Sequence, residues 1–191
     1  MARERLNHWA SQIYFNPTKV LEEAARLGFR HVIGGRCRLP PEIARPDRKR
    51  LIEDLDAAAF AHGLRVLIPD RDICIAELEA QDHDFVLRFG PPDDPGYCPL
   101  QLKVLVSKEV NESQTMDDLL ENLNHYADAA DLVVAIKIDR LGVDPRGLQI
   151  PPLELAEIWF FGPSLEGSNM WYLYGDCLGS PLWLEFQLPE G

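Results

Sequence analysis

The chain has 191 residues, enough for one domain with an appendage that buries roughly 70% of its unfolded surface. Its 46% hydrophobic and 26% charged residues are ordinary globular composition, which excludes a disordered chain. A net charge of −12 argues against a generic nucleic-acid coat protein, and no apolar run approaches the ~20 residues of a membrane span.

The four cysteines, Cys37, Cys74, Cys98 and Cys177, stand apart with no Cys-x-x-Cys pair. They read as reduced thiols rather than a zinc site or a disulfide framework. The opening MARERLNHWA lacks the apolar stretch of a signal peptide, so a cytoplasmic location is expected. The charge is uneven. Residues 1–50 carry 11 Lys and Arg against 5 Asp and Glu, whereas residues 51–191 carry 8 against 26. The segment 26–50 is arginine-rich, with Arg26, Arg30, Arg36, Arg38, Arg45, Arg48 and Arg50 beside Lys49. It offers bidentate contacts to nucleic-acid phosphates; the competing reading pairs these arginines with the acidic remainder of the chain.

In chain order, the first predicted helix runs from Asn16 to Leu27. Asn16 suits the N-cap, Pro17 the first helical position and Gly28 the stop. Val20, Leu21, Ala24 and Leu27 form its apolar face. Phe29 to Ile33 reads as a strand, and 34–46 as a Gly- and Pro-rich loop. A second helix spans about 47–62, ending at Gly63, and Leu64 to Ile68 reads as a buried strand broken by Pro69. Residues 72–79 fit strand or helix. Asp84 to Phe89 is a strand by its β-branched and aromatic content, and Gly90 to Gly96 a turn. In the strand Leu100 to Val106, Leu100, Leu102, Val104 and Val106 face one way, and Gln101 and Lys103 the other. Thr115 opens a capping box for a helix to about Ala130. Leu132 to Ile138 is a nearly continuous apolar strand, as in a sheet covered on both faces. Three aromatic-rich strands follow, about 154–161, 170–174 and 182–188. They read as a meander carrying Trp159, Trp171 and Trp183, which either pack on the core or offer an interface or base-stacking surface.

The order helix, strand, strand, strand, helix, strand from residue 47, with Asp84 opening one strand and Gln101-Leu102-Lys103 in the next, resembles the PD-(D/E)xK nuclease core in its Gln-x-Lys form. The resemblance covers about 90 of the 191 residues. It implies an α/β fold with an αβββαβ restriction-endonuclease-like core over 47–139. A basic N-terminal helix-strand extension would cover 1–46, and a C-terminal β extension packed on the core 140–191. It also implies a metal-dependent nuclease acting on DNA or RNA. Mg²⁺ or Mn²⁺ would be held by Asp84, the Gln101 side-chain carbonyl and the Leu102 backbone carbonyl, which are the hard oxygen ligands such ions need. Lys103 would orient or deprotonate water and stabilise phosphate charge. Glu53 would be the acidic residue of the preceding helix, with Asp54 and Asp56 as rivals. Asn122 and Tyr126 echo the Gln-x-x-x-Tyr of exonuclease-like members.

The departure at Gln101 removes a negative charge from the ion site. A catalytically silent nuclease-like domain, serving binding or assembly, is therefore the second expectation. A third is an unrelated α/β enzyme, since DLDAAAFAHGLRVLIPD also resembles a helix-to-strand unit of barrel glycosidases, although the chain is short for a barrel. His83, Asp93 and Asp94 are lesser candidates for metal or phosphate contacts. Gly34-Gly35 lacks the rest of a phosphate loop, and Gly162 to Glu166 lacks the closing Gly of a nucleophile elbow. No membrane contact is expected, and the aromatic strands offer a surface for a homodimer.

Overall fold

The structure is a computed structural model that describes residues 2–29, 45–78, 80, 83–126, 129–140, 142–164 and 169–190. Four α-helices and a seven-stranded mixed sheet make up the described residues. The helices are α1 (Ala2–Ala10), α2 (Pro17–Arg26), α3 (Arg45–Leu67) and α4 (Met116–Asn122). The strands are β1 (Ile73–Glu77), β2 (Phe85–Phe89), β3 (Gly96–Leu105), β4 (Ala129–Ile138), β5 (Leu155–Pro163), β6 (Met170–Gly175) and β7 (Leu182–Gln187).

The strands lie in the sheet in chain order. β1, β2 and β3 form an antiparallel meander; β3, β4 and β5 run parallel; β6 and β7 return antiparallel. On one face α3 packs under Leu100, Leu102, Val133, Ala135, Trp159 and Trp171, with α2 behind it. The other face is covered by α4 and by apolar residues of the β4–β5 connection. β4 is therefore buried on both faces from Leu132 to Ile138, as its nearly continuous apolar run predicts.

α2 begins as expected. Asn16 Oδ1 accepts from the Lys19 amide at 3.2 Å, and Gly28 follows the helix at φ +81°. α1 went unread because its pattern is too sparse for a periodicity argument: from Glu4 to Ala10 only Trp9 is buried. The expected strand Phe29–Ile33 and the loop 34–46 fall almost wholly outside the described residues.

Leu64 to Ile68 is not a strand. α3 runs through Gly63 to Leu67, and the Ile68 amide still donates to the Leu64 carbonyl at 2.9 Å. Gly63 is a notch rather than a stop, since a Cβ there would meet the Phe186 ring at 2.9 Å. The first strand is instead the ambiguous segment, buried from Ile73 to Ala76. A short apolar run reads alike as buried strand or buried helix, and here the length of α3 decided. α4 opens with the expected capping box between Thr115 and Asp118 but stops at Asn122, with one 3₁₀ turn to His125. The chain then enters β4 at Ala129, where a helix to Ala130 had been expected.

The three C-terminal strands continue the same sheet through the parallel β4–β5 pairing. Trp159 and Trp171 belong to the core, whereas Trp183 is 38% exposed. Among the described residues no helix is long and apolar enough to cross a membrane.

Candidate functional site

Pairing of β2 with β3 ends at Phe85 and Leu100, after which the Asp84 amide donates to the Leu100 carbonyl at 3.2 Å. Beyond that point no strand among the described residues pairs with β3 on this side. The Leu100, Leu102 and Val104 carbonyls point to that side by the two-residue period of a strand. Farther along, the Gln114 amide stands in for a neighbouring strand: it donates to the Val104 carbonyl at 3.0 Å and accepts from the Val106 amide at 3.0 Å. Nearer Asp84, the Gln101 side chain does so. Its Nε2 donates to the Leu102 carbonyl at 3.2 Å and to Asp84 Oδ2.

Asp84, Gln101 and the Leu102 carbonyl thus meet at one point, and Gln101 is 6% exposed there. An amide oxygen and nitrogen are distinguished only by their network. As it stands, an NH₂ group bridges two oxygen acceptors, which is the position a cation would take between them. With the amide turned over, three hard oxygens and one negative charge would converge, a donor set that fits Mg²⁺ or Mn²⁺. Among the described residues no group of three or more His, Cys, Asp and Glu is arranged to hold a metal.

Lys103 and Glu53 do not share a face. Leu102 belongs to the core under α3 and Leu105 to the core under α4, so Gln101 and Lys103 project toward α4. Lys103 Nζ stands 5.4 Å from the Tyr126 ring centroid. Glu53 lies on the α3 side, in a cavity of about 550 Å³ that also takes in Asp54, Glu77, Asp84, Lys49 and Arg50. Asp84, at the end of its strand, borders both. Glu53 pairs with Lys49 at 3.5 Å and Arg50 with Glu77. Burial pushes the Asp54 carboxyl up to about 6, and Glu77 adds to the shift.

The third rival, Asp56, is turned inward. It is 1% exposed and pairs with Lys137 Nζ at 2.8 Å, while Asp139 holds the same amine at 3.1 Å. Burial pushes Asp56 up to about 6 against the pull of Lys137. Burial lowers the Lys137 pKa, but the two carboxylates outweigh it and raise the value overall. This trio was not read from the sequence. Its signal was a lysine inside the apolar run LVVAIKI, because a buried ammonium demands a carboxylate.

His83 is buried edge-on against Trp9, with centroids 5.8 Å apart, and Asp93 and Asp94 are exposed in the turn before β3. Asn122 ends α4, and Tyr126 follows the 3₁₀ turn, half-buried against the α4 core. No family model, curated protein or solved structure matches the chain.

Proposed function

We propose that the chain is a metal-dependent phosphodiesterase of restriction-endonuclease-like architecture, hydrolysing DNA or RNA at the β2–β3 junction. The observation that carries this reading is the meeting of Asp84, the Gln101 side-chain amide and the Leu102 carbonyl at one point. The order helix, three antiparallel strands, helix, and a strand parallel to the third supports the architecture. A bound Mg²⁺ or Mn²⁺ would polarise the phosphate and lower the pKa of its water. Asp84, the Leu102 carbonyl and, with its amide turned over, the Gln101 side-chain carbonyl would hold the ion. Lys103, on the Gln101 side of β3, donates to a phosphate oxygen. Glu53 lines the same cavity as Asp84, with Lys49 and Arg50 offsetting its carboxylates. The free thiols of Cys74, Cys98 and Cys177 suit a reducing, cytoplasmic setting. β7, the last strand of the sheet, exposes Leu182 and Trp183 where a second copy would pair.

A second reading, a catalytically silent binding module, is favoured by the Gln101 NH₂ donating to both oxygens an ion would need. Cleavage of supercoiled plasmid, single-stranded DNA and RNA with Mg²⁺ or Mn²⁺ separates the two. The catalytic reading expects cleavage by wild type and a loss of about 100-fold or more in Lys103→Ala. Wild type as inert as Lys103→Ala on every substrate would sink it. The silent reading then expects Gln101→Glu to raise Mn²⁺ affinity in a calorimetric titration, by restoring the missing charge.

A further inference from the structure

A second cavity, of about 350 Å³, opens at the carboxyl ends of β4 and β5, the end of parallel strands where α/β sheets take ligands. Its wall follows from one glycine. Gly162 pairs with Tyr172 across β5 and β6, and a Cβ at Gly162 would stand 3.5 Å from the Tyr172 hydroxyl and 2.7 Å from the Ile138 carbonyl. The bare backbone there leaves room for the Ile138 carbonyl, while the distance to the Tyr172 hydroxyl is ordinary contact.

Tyr172 is 6% exposed, and its hydroxyl has no hydrogen-bond partner among the described residues; nor does the shielded Oγ of the half-buried Ser164, just past β5. Both residues line the cavity. Unpaired, shielded hydroxyls are uncommon in folded proteins and call for a partner. Glu185 lies directly opposite Tyr172 across β6 and β7, with Trp183 two residues away on the same face. Trp183 stacks on Tyr172 at 4.8 Å.

The surrounding charges decide the sign of the partner. Burial raises the Tyr172 pKa, and Asp144 and Asp139 raise it further, so the field at the phenol oxygen is negative. Arg140 is committed to the carbonyls of Val106, Gln114 and Asn111 at 3.2, 2.8 and 3.0 Å. Arg146 pairs with Asp144 at 2.8 Å and stands 4.8 Å over the Trp183 ring. That guanidinium shows the chemistry of the cavity mouth: a cation held by a carboxylate and an aromatic face. The pair is more than half exposed, at 59% and 54%, and so weakly held.

We propose that this cavity binds a small organic cation carrying a primary ammonium group, which displaces Arg146 from Trp183 and donates to Tyr172, Ser164 and Glu185. An ammonium has three donors for these three acceptors. No residue is shared with the β2–β3 junction, so the proposal stands apart from the phosphodiesterase reading.

Titration with 1,4-diaminobutane at low salt tests it, with 1,4-butanediol and inorganic phosphate as neutral and anionic comparisons. Calorimetry and chemical-shift mapping should report saturable binding of the diamine alone, with shifts at Ser164, Tyr172 and 142–146. Glu185→Gln should weaken it by about tenfold and Tyr172→Phe several-fold. Arg146→Ala should tighten it by removing the internal competitor. Absence of saturable diamine binding overturns the proposal. So does equal binding of the diol or of phosphate, or an affinity unchanged in both Glu185→Gln and Tyr172→Phe, each of which keeps the shape of the side chain it replaces.

Discussion

Lys137 sits one residue before the end of the sheet's most buried strand; it is 5% exposed, and carboxylates flank its ammonium on two sides. One cation between two carboxylates leaves an excess negative charge among residues that are all buried. The trio therefore depends on each member more than a surface pair would. Lys137→Met leaves Asp56 and Asp139 buried without a counter-charge, and a loss of about 3–5 kcal/mol in urea unfolding is expected at pH 7. A carboxyl whose folded pKa is raised contributes stability that is present at low pH and lost as pH rises through that pKa. Asp56, already pushed up to about 6, makes the loss smaller at pH 5 than at pH 7. An equal loss at both pH values would show that the packing of the lysine stem, not charge, is what matters.

α3 illustrates why an element cannot be bounded by its residues alone. Its stretch from Leu55 to Leu64 is buried throughout, because the sheet covers one side and α2 the other. His62 links the two sides, meeting Thr18 Oγ1 at 2.9 Å and the Gln187 carbonyl at 3.2 Å. Within that sandwich Gly63 gives Phe186 its seat. Gly63→Ala improves helix propensity by up to ~1 kcal/mol, yet it drives a methyl group into the ring at 2.9 Å. Overpacking of about 1–3 kcal/mol should win, lowering the urea midpoint. A raised midpoint would mean that Phe186 moves aside freely.

Across the whole molecule, β4 has β3 on one edge and β5 on the other, and both are parallel to it. Residues 140–190 therefore complete the core that an αβββαβ unit would otherwise have to close alone. A chain ending at Asp139 would leave Trp159, Phe161, Trp171 and Phe186 out of the α3 core and one edge of β4 open. It is expected to aggregate or to lose near-ultraviolet circular dichroism. Retention of a cooperative unfolding transition by that fragment would mark the C-terminal strands as dispensable.

Much of this was legible locally. Asn16-Pro17 and Gly28 bounded α2, the capping box opened α4, and the apolar run marked β4, because each signal acts through neighbouring residues. The meeting of Asp84 with Gln101 was also legible, since two adjacent strands and a period of two suffice to predict it. What the chain could not disclose by itself was which side of β3 each helix would take. Alternation puts Lys103 beside Gln101 whatever the fold, but Glu53 joins Asp84 on the opposite side only because α3 packs against Leu102. The Lys137 trio and the Tyr172 cavity likewise draw on elements far apart in the chain. Local backbone and pattern chemistry determined the elements; long-range packing decided which polar groups share a space.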